Sequence, residues 1–203
     1  MQPANTSITS AVALVNAFLH RALQQRVADL TVAKAHDLVY LCHGWHLATE
    51  GRRLVADGIH CDADGVFSPS VRAAGGRGTR RVDRLLTVML PDARTGLLSD
   101  QTPLIPSKSP LQGLLDVVWS QWGQMPAYEL RCFTRDHGSP WDLVWNEPER
   151  SGDAPRRIPN STIHCWFNHY VRGGASTAPS SLDSIDSLED FSLESELGDL
   201  RPV

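Results

Sequence analysis

The sequence predicts a mainly α-helical fold: a compact multi-helix domain with one small β element, followed by a disordered acidic tail. Three observations carry this. Apolar residues recur at three- and four-residue spacing in the segments 10–27, 30–51 and 109–125. Most of the helical segments open on a Ser, Thr or Asn cap, or on a proline at the first helical position. The last 29 residues hold seven acids against one base, whereas residues 1–174 hold 18 basic and 16 acidic residues. The expected organisation is a flexible start (1–9), a helical domain (10–172) and an acidic Ser/Leu-rich tail (173–203).

The first helix reads SITSAVALVNAFLHRALQQRV, with Ser10 as cap and Val12, Val15, Phe18, Leu19 and Leu23 as its buried stripe. The second, LTVAKAHDLVYLCHGWHLATEG, starts at a Thr31 cap and stops at Gly51. Leu38, Leu41, Trp45 and Ala48 are expected to share its apolar face. Residues 51–80 read mostly as loop, with Val55 and Ile59 in a short strand or arm. FSPSVRAAGG suits a short helix capped by Ser68, with Pro69 at the first position. RRVDRLLTVMLP fits a helix or a strand equally, and residues 91–108, with Pro91, Pro103 and Pro106, read as loop. Helical pattern returns in SPLQGLLDVVWSQWGQM, where Ser109 caps, Pro110 starts, and Leu111, Leu114, Leu115, Val118 and Trp122 line one side. Pro126, Ser139–Pro140 and Asn160 open three further helices.

The composition excludes several classes. The body carries a net charge of only +2, which is not a nucleic-acid footprint. No run approaches the roughly 18 apolar residues of a membrane span. The start, MQPANTSITS, lacks the basic and apolar regions of a signal peptide, so a cytoplasmic location is expected. Cys42, Cys61, Cys132 and Cys165 form no CxxC pair and are expected to be reduced thiols.

The stretch YLCHGWHLATEGRRL crowds Cys42, His43 and His46 into one helical turn. Three readings compete. His60 and Cys61 could complete a zinc set, but the short, paired ligand spacings of such sites are missing. A Cys/His-dependent hydrolase could centre on Cys42, His43 and His46, yet neighbours such as Cys42 and His43 point about 100° apart on a helix. The third reading is packing, with Cys42 as a small residue and His43 and Trp45 filling a helix interface. It is adopted, so no metal, cofactor or catalytic residue is expected. RGTRRVDR places arginines at 77, 80, 81 and 84 and reads as a solvated face rather than a phosphate site, and GGRG lacks a phosphate-loop form.

LTVAKAHDLVYLCHGWHLA resembles the signature helix of the Panacea domain family, also described as phage-associated GepA-like or SocA-like, through Leu30, Thr31, Lys34, Leu38, Tyr40, Gly44, Trp45, Leu47 and Ala48. HCDADGVFSPSV keeps the family's Gly65 and Pro69 but has Val66 for an expected proline. WGQMPAYELRCFTRDHGSPW resembles the third signature through Trp122, Gly123, Ala127, Glu129, Leu130, Thr134, Ser139, Pro140 and Trp141, and IPNSTIHCWF resembles the closing helix. The likeness runs in order over roughly residues 10–171. It departs at residues 35–37, where the family has Leu-Gln-Lys, and at 59–66.

The resemblance implies a non-enzymatic helical module that neutralises a cognate toxin or effector by binding it, an antitoxin often phage- or prophage-associated. A related role is an adaptor delivering a partner to a protease or secretion machine. Where the chain departs from the family, Lys34, His36, Asp37, Asp62 and Asp64 are expected to be exposed and to face the partner. In the tail, Leu182, Ile185, Leu188, Phe191 and Leu193 alternate with acids and serines. Such a segment either folds on a partner, through Leu188 and Phe191, or only solubilises the chain.

Overall fold

The structure, a computed structural model, describes residues 8–92, 94–148 and 152–172. The tail residues Leu188 and Phe191, and the start 1–7, lie outside the described residues.

The fold is mainly helical and is built around one helix. α1 (Ala11–Gln24) leads to α2 (Val32–Glu50), followed by a hairpin of β1 (Ile59–Asp62) and β2 (Gly65–Phe67) and by α3 (Pro69–Gly75). A second hairpin, β3 (Val88–Pro91) and β4 (Leu98–Gln101), precedes α4 (Leu111–Val118), α5 (Ala127–Thr134) and α6 (Pro140–Trp145). β5 (Arg156–Ile158) and α7 (Asn160–Arg172) close the described chain. The first sheet has the order β2-β1-β5, antiparallel throughout; the second is β3-β4 alone.

α2 packs against α1, α3, α4, α5, α7 and β2. It is therefore buried nearly all round, from Val32 to Leu47, rather than on the single face that its apolar spacing predicts. Thr31 Oγ1 accepts the Lys34 N–H, and Gly51 closes the helix in the left-handed region at φ 66°. Gly44 marks the closest approach to α7: a Cβ there would overlap the Phe167 ring. In α1 the buried side comprises Ala11, Val12, Leu14, Val15, Phe18, Leu19 and Ala22. Leu23, expected on that stripe, is exposed; it stands in the last turn, next to the helix end at Gln24.

α4 runs straight into a π turn, Trp119–Gly123. This extra width puts both Trp119 and Trp122 in the core, Trp119 stacked on Phe18 and Trp122 against Trp45. α3 and α6 start with the expected Pro69 and Pro140. Ser139 caps α6 by accepting from the Asp142 N–H at 3.3 Å. Ser68 precedes α3, but its hydroxyl donates to Asp57 at 2.7 Å instead of capping the helix. The undecided segment 80–91 ends in strand β3, and the expected loop 91–108 contains its partner β4. β5 had no signal of its own; it exists because β1 offers it an edge.

Candidate functional site

The Cys42 cluster is a packing knot. Cys42 is fully buried, and burial pushes its thiol pKa up, the opposite of what a nucleophile needs. His43 is buried, and its Nδ1 accepts the backbone N–H groups of Leu54 and Val55, both at 3.3 Å. Its Nε2–H donates to Asn160 Oδ1 at 3.1 Å. One neutral imidazole thus ties α2 to the 54–55 segment and to the first residue of α7. Burial pulls its pKa down to about 4, against the opposing Asn160 hydrogen bond. His46 faces elsewhere and uses Nδ1 on the Arg52 carbonyl at 2.8 Å. Among the described residues, no group of three or more His, Cys, Asp or Glu side chains could hold a metal ion.

The residues expected to be exposed at the start of α2 are inside. Lys34 and Asp37 are fully buried and His36 is 4% exposed. The 76–82 loop covers the helix start, its Gly78 and Arg80 carbonyls accepting the Ala33 and Val32 N–H groups at 3.1 and 2.8 Å, and α5 covers Asp37. Lys34 Nζ reaches Asp29 at 2.7 Å. Asp37 Oδ1 accepts from Thr134 at 2.9 Å, and its Oδ2 lies 3.5 Å from Arg131 Nε. Burial raises the Asp37 pKa to about 6, with Arg131 opposing. Asp62 is buried too, bound to Arg72 at 2.8 Å; of the five, only Asp64 is exposed.

Four of these residues nevertheless meet. His36, Asp62 and Asp64 line a pocket of about 290 Å³ together with Arg72, Arg77 and Arg131, and Asp37 lies behind Arg131. The pocket sits between the start of α2, the β1–β2 turn, α3, α5 and the 77–79 loop. Arg72 stacks on the Phe67 ring, and Arg131 Nη1 donates to the Asp64 carbonyl. Arg80, Arg81 and Arg84 stay outside, around an open depression with Asp83. Sequence reading missed Arg72 and Arg131, whose partners lie on other elements.

A second feature was not expected at all. The β3–β4 ribbon exposes Met89 (57%), Leu90 (44%), Leu97 (71%) and Leu98 (65%), with Leu85 and Leu104 exposed at its base. The register, Met89 opposite Asp100 and Pro91 opposite Leu98, puts Met89, Pro91 and Leu98 on one face. Val88, on the other, packs towards the core. Asn16 of α1 holds the base. Its side chain donates to the Leu86 and Pro103 carbonyls at 3.0 and 2.9 Å and accepts the Leu86 N–H at 2.8 Å. One buried amide thereby clamps both ends of the segment 86–103. Scattered exposed leucines are ordinary, but apolar residues grouped on a projecting ribbon mark an interaction surface.

No family model matches the chain, and no curated protein and no solved structure is detectably similar to it. The motif residues quoted for the Panacea resemblance can be placed one by one. Tyr40 is fully buried against Phe167, Gly44 admits that ring, and Trp45 is half-buried on Trp122 and Phe167. Gly65, at φ 125°, closes the β1–β2 turn against the Arg131 side chain. Pro69 starts α3; Leu130 is fully buried; Ser139 and Pro140 open α6. Trp141 is buried and donates to the Asp62 carbonyl at 2.9 Å. Glu129 alone is exposed, in the first turn of α5. No described helix is long and apolar enough to cross a membrane.

Proposed function

We propose that the chain is a Panacea-type, non-enzymatic protein-binding module that neutralises a cognate toxin or effector by direct contact, with the β3–β4 ribbon as its partner face. The observation carrying this is the exposed apolar ribbon clamped to the body by Asn16. Met89, Leu97 and Leu98 remain in water in the free chain, and a partner that covers them recovers roughly 1.5–3 kcal/mol for each fully buried side chain. Among the described residues β3 and β4 are paired only with each other, so each also has an open edge for an added strand. The inward-facing motif residues support a scaffold reading of the signature, and the buried Cys42 weighs against the hydrolase. An adaptor that passes the bound partner to a protease or secretion machine would use the same face.

The test is neutralisation. A small protein encoded beside this chain is expressed with and without it, and growth is followed. Rescue is expected from the natural chain and not from the Met89→Asp/Leu98→Asp variant, at equal thermal stability of the two. Full rescue by that variant removes the ribbon from the reading.

A further inference from the structure

The pocket at the start of α2 rests on observations independent of the ribbon. Its most buried ionisable group is His36, on the second turn of a 19-residue helix, 4% exposed. His36 Nδ1 accepts the Ser68 backbone N–H at 3.3 Å. A backbone amide can only donate, so Nδ1 is bare and the neutral ring carries its proton on Nε2. That Nε2–H is buried without a hydrogen-bond partner and belongs to a ring lining the pocket. A further N–H donor of the same lining, Arg72 Nε, is buried and lacks a hydrogen bond, whereas Arg131 Nε is already ion-paired with Asp37 at 3.5 Å. Buried donors are ordinarily satisfied, and two at one cavity call for a shared acceptor.

We infer that this pocket binds a carboxylate group, held by His36 Nε2–H and the Arg72 and Arg131 guanidiniums, with Arg77 at the mouth. The lining holds three guanidiniums and two carboxylates, Asp62 and Asp64, and Asp37 already pairs with Arg131 from behind, so the orphaned donors rather than a net charge call for the acceptor. A phosphate dianion would oppose both aspartates. The pieces are fixed before binding: Asp62 holds Arg72 at 2.8 Å, Phe67 lies under the Arg72 guanidinium, and the Asp64 carbonyl and Asp37 position Arg131. His36 stays neutral because burial, then Arg72 and Arg131, pull its pKa to about 3. The neutral ring donates through Nε2–H. The carboxylate can belong to a free small acid or to an acidic side chain of a protein, since both present the same two oxygens.

The test uses the full chain and its histidine ring signals in long-range ¹H–¹⁵N spectra. Acetate is titrated at constant ionic strength against chloride, with phosphate as a parallel arm. A saturable shift of the His36 Nε2 signal with acetate is expected, weaker with phosphate, and absent with chloride. Arg77 is exposed and makes no buried pair, so Arg77→Ala keeps the fold; it should weaken acetate roughly threefold, the scale of an exposed ion pair. Arg84→Ala, outside the pocket, should leave acetate binding unchanged. A blocked peptide with one aspartate separates the sources: binding at least as tight as acetate assigns a protein side chain, and exclusion assigns a free small acid. Equal response to acetate and chloride, preference for phosphate, or unchanged acetate affinity in Arg77→Ala overturns the inference.

Discussion

The start of α2 and the β3–β4 ribbon invert the usual distribution of residues. Lys34, His36 and Asp37 are inside, each placed by neighbours from other elements, whereas Met89, Leu97 and Leu98 are outside. In the helix, polarity is a matter of architecture: Asp37 holds Arg131 and Thr134 of α5, and Lys34 holds Asp29. In the ribbon, apolarity has no architectural use beyond Val88, since the exposed side chains leave the core as it is. A residue's chemistry alone therefore does not tell a binding surface from a scaffold here. Cost of substitution does, and the predictions separate the two regions on that axis.

The largest effect is expected at residues 35–37. Replacing them with Leu-Gln-Lys would be harmless at an exposed partner face. Here it puts a lysine where Asp37 is fully buried, beside Arg131. Breaking such a pair costs about 3–5 kcal/mol, and a like charge adds to it. Urea unfolding of this variant should show a collapse of stability; an unchanged midpoint would mean that this end of α2 is open.

Gly44→Ala follows, because the added methyl overlaps the Phe167 ring. Overpacking of this kind costs about 1–3 kcal/mol, and more where backbone must move. Asn16→Leu removes all three bonds that clamp the ribbon and leaves the Leu86 N–H and the Leu86 and Pro103 carbonyls without the side chain that met them. A loss of about 1–3 kcal/mol is expected, with hydrogen exchange rising first in 86–103. Exchange confined to another segment would break the assignment of Asn16 as the anchor.

Between about pH 5.5 and 4.5 acid should act through the helix and not the ribbon, whose Asp92 carboxyl is held below the usual carboxylate range by the Thr95 and Arg94 N–H groups. Burial lowers the His36 and His43 pKa values in the folded chain to about 3 and about 4, below the ordinary imidazole value of about 6.5. Their contribution is present above pH 6.5 and is lost as pH falls towards those values. Asp37, raised to about 6, works in the opposite sense: its contribution is present at low pH and lost as pH rises through 6. Between about pH 5.5 and 4.5 the unfolded chain thus holds two histidine protons while the folded chain holds one on Asp37. Stability should fall by about 1.4 kcal/mol per pH unit as pH is lowered across that window. Stability that rises on acidification there would contradict the neutral, buried state of the two imidazoles.

Much of the helical part was legible because its signals are local. Thr31, Gly51, Pro69, Ser139 and Pro140 act where their own backbone positions require them. The tertiary part was not. α2 looks one-sided in sequence but is central, since its burial is decided by what packs on it. Four residues singled out at the departures from the family pattern do converge, yet the arginines that complete the pocket, Arg72 and Arg131, come from α3 and α5. β3 and β4 are four residues each and pair only across a turn, so no periodicity could declare them. Asn16 sits inside α1 with no local mark of its task. The packing reading placed Cys42, His43 and Trp45 in a helix interface; Cys42 and His43 are buried and Trp45 is half-buried, while the backbone N–H groups that His43 accepts come from residues 54 and 55, which no local pattern announces.

The smallest effect on stability should come from the ribbon tip, where Met89→Asp and Leu98→Asp stay within about 0.5 kcal/mol of the natural chain. The same pair should have the largest effect on binding, and the affinity of the Met89→Asp/Leu98→Asp chain for its toxin or effector partner is the most direct measurement of the central claim. An unaltered melting temperature with affinity reduced about 30-fold or more, the loss of one hot spot, is the predicted result. An unaltered melting temperature with unaltered affinity would contradict the ribbon as the partner face.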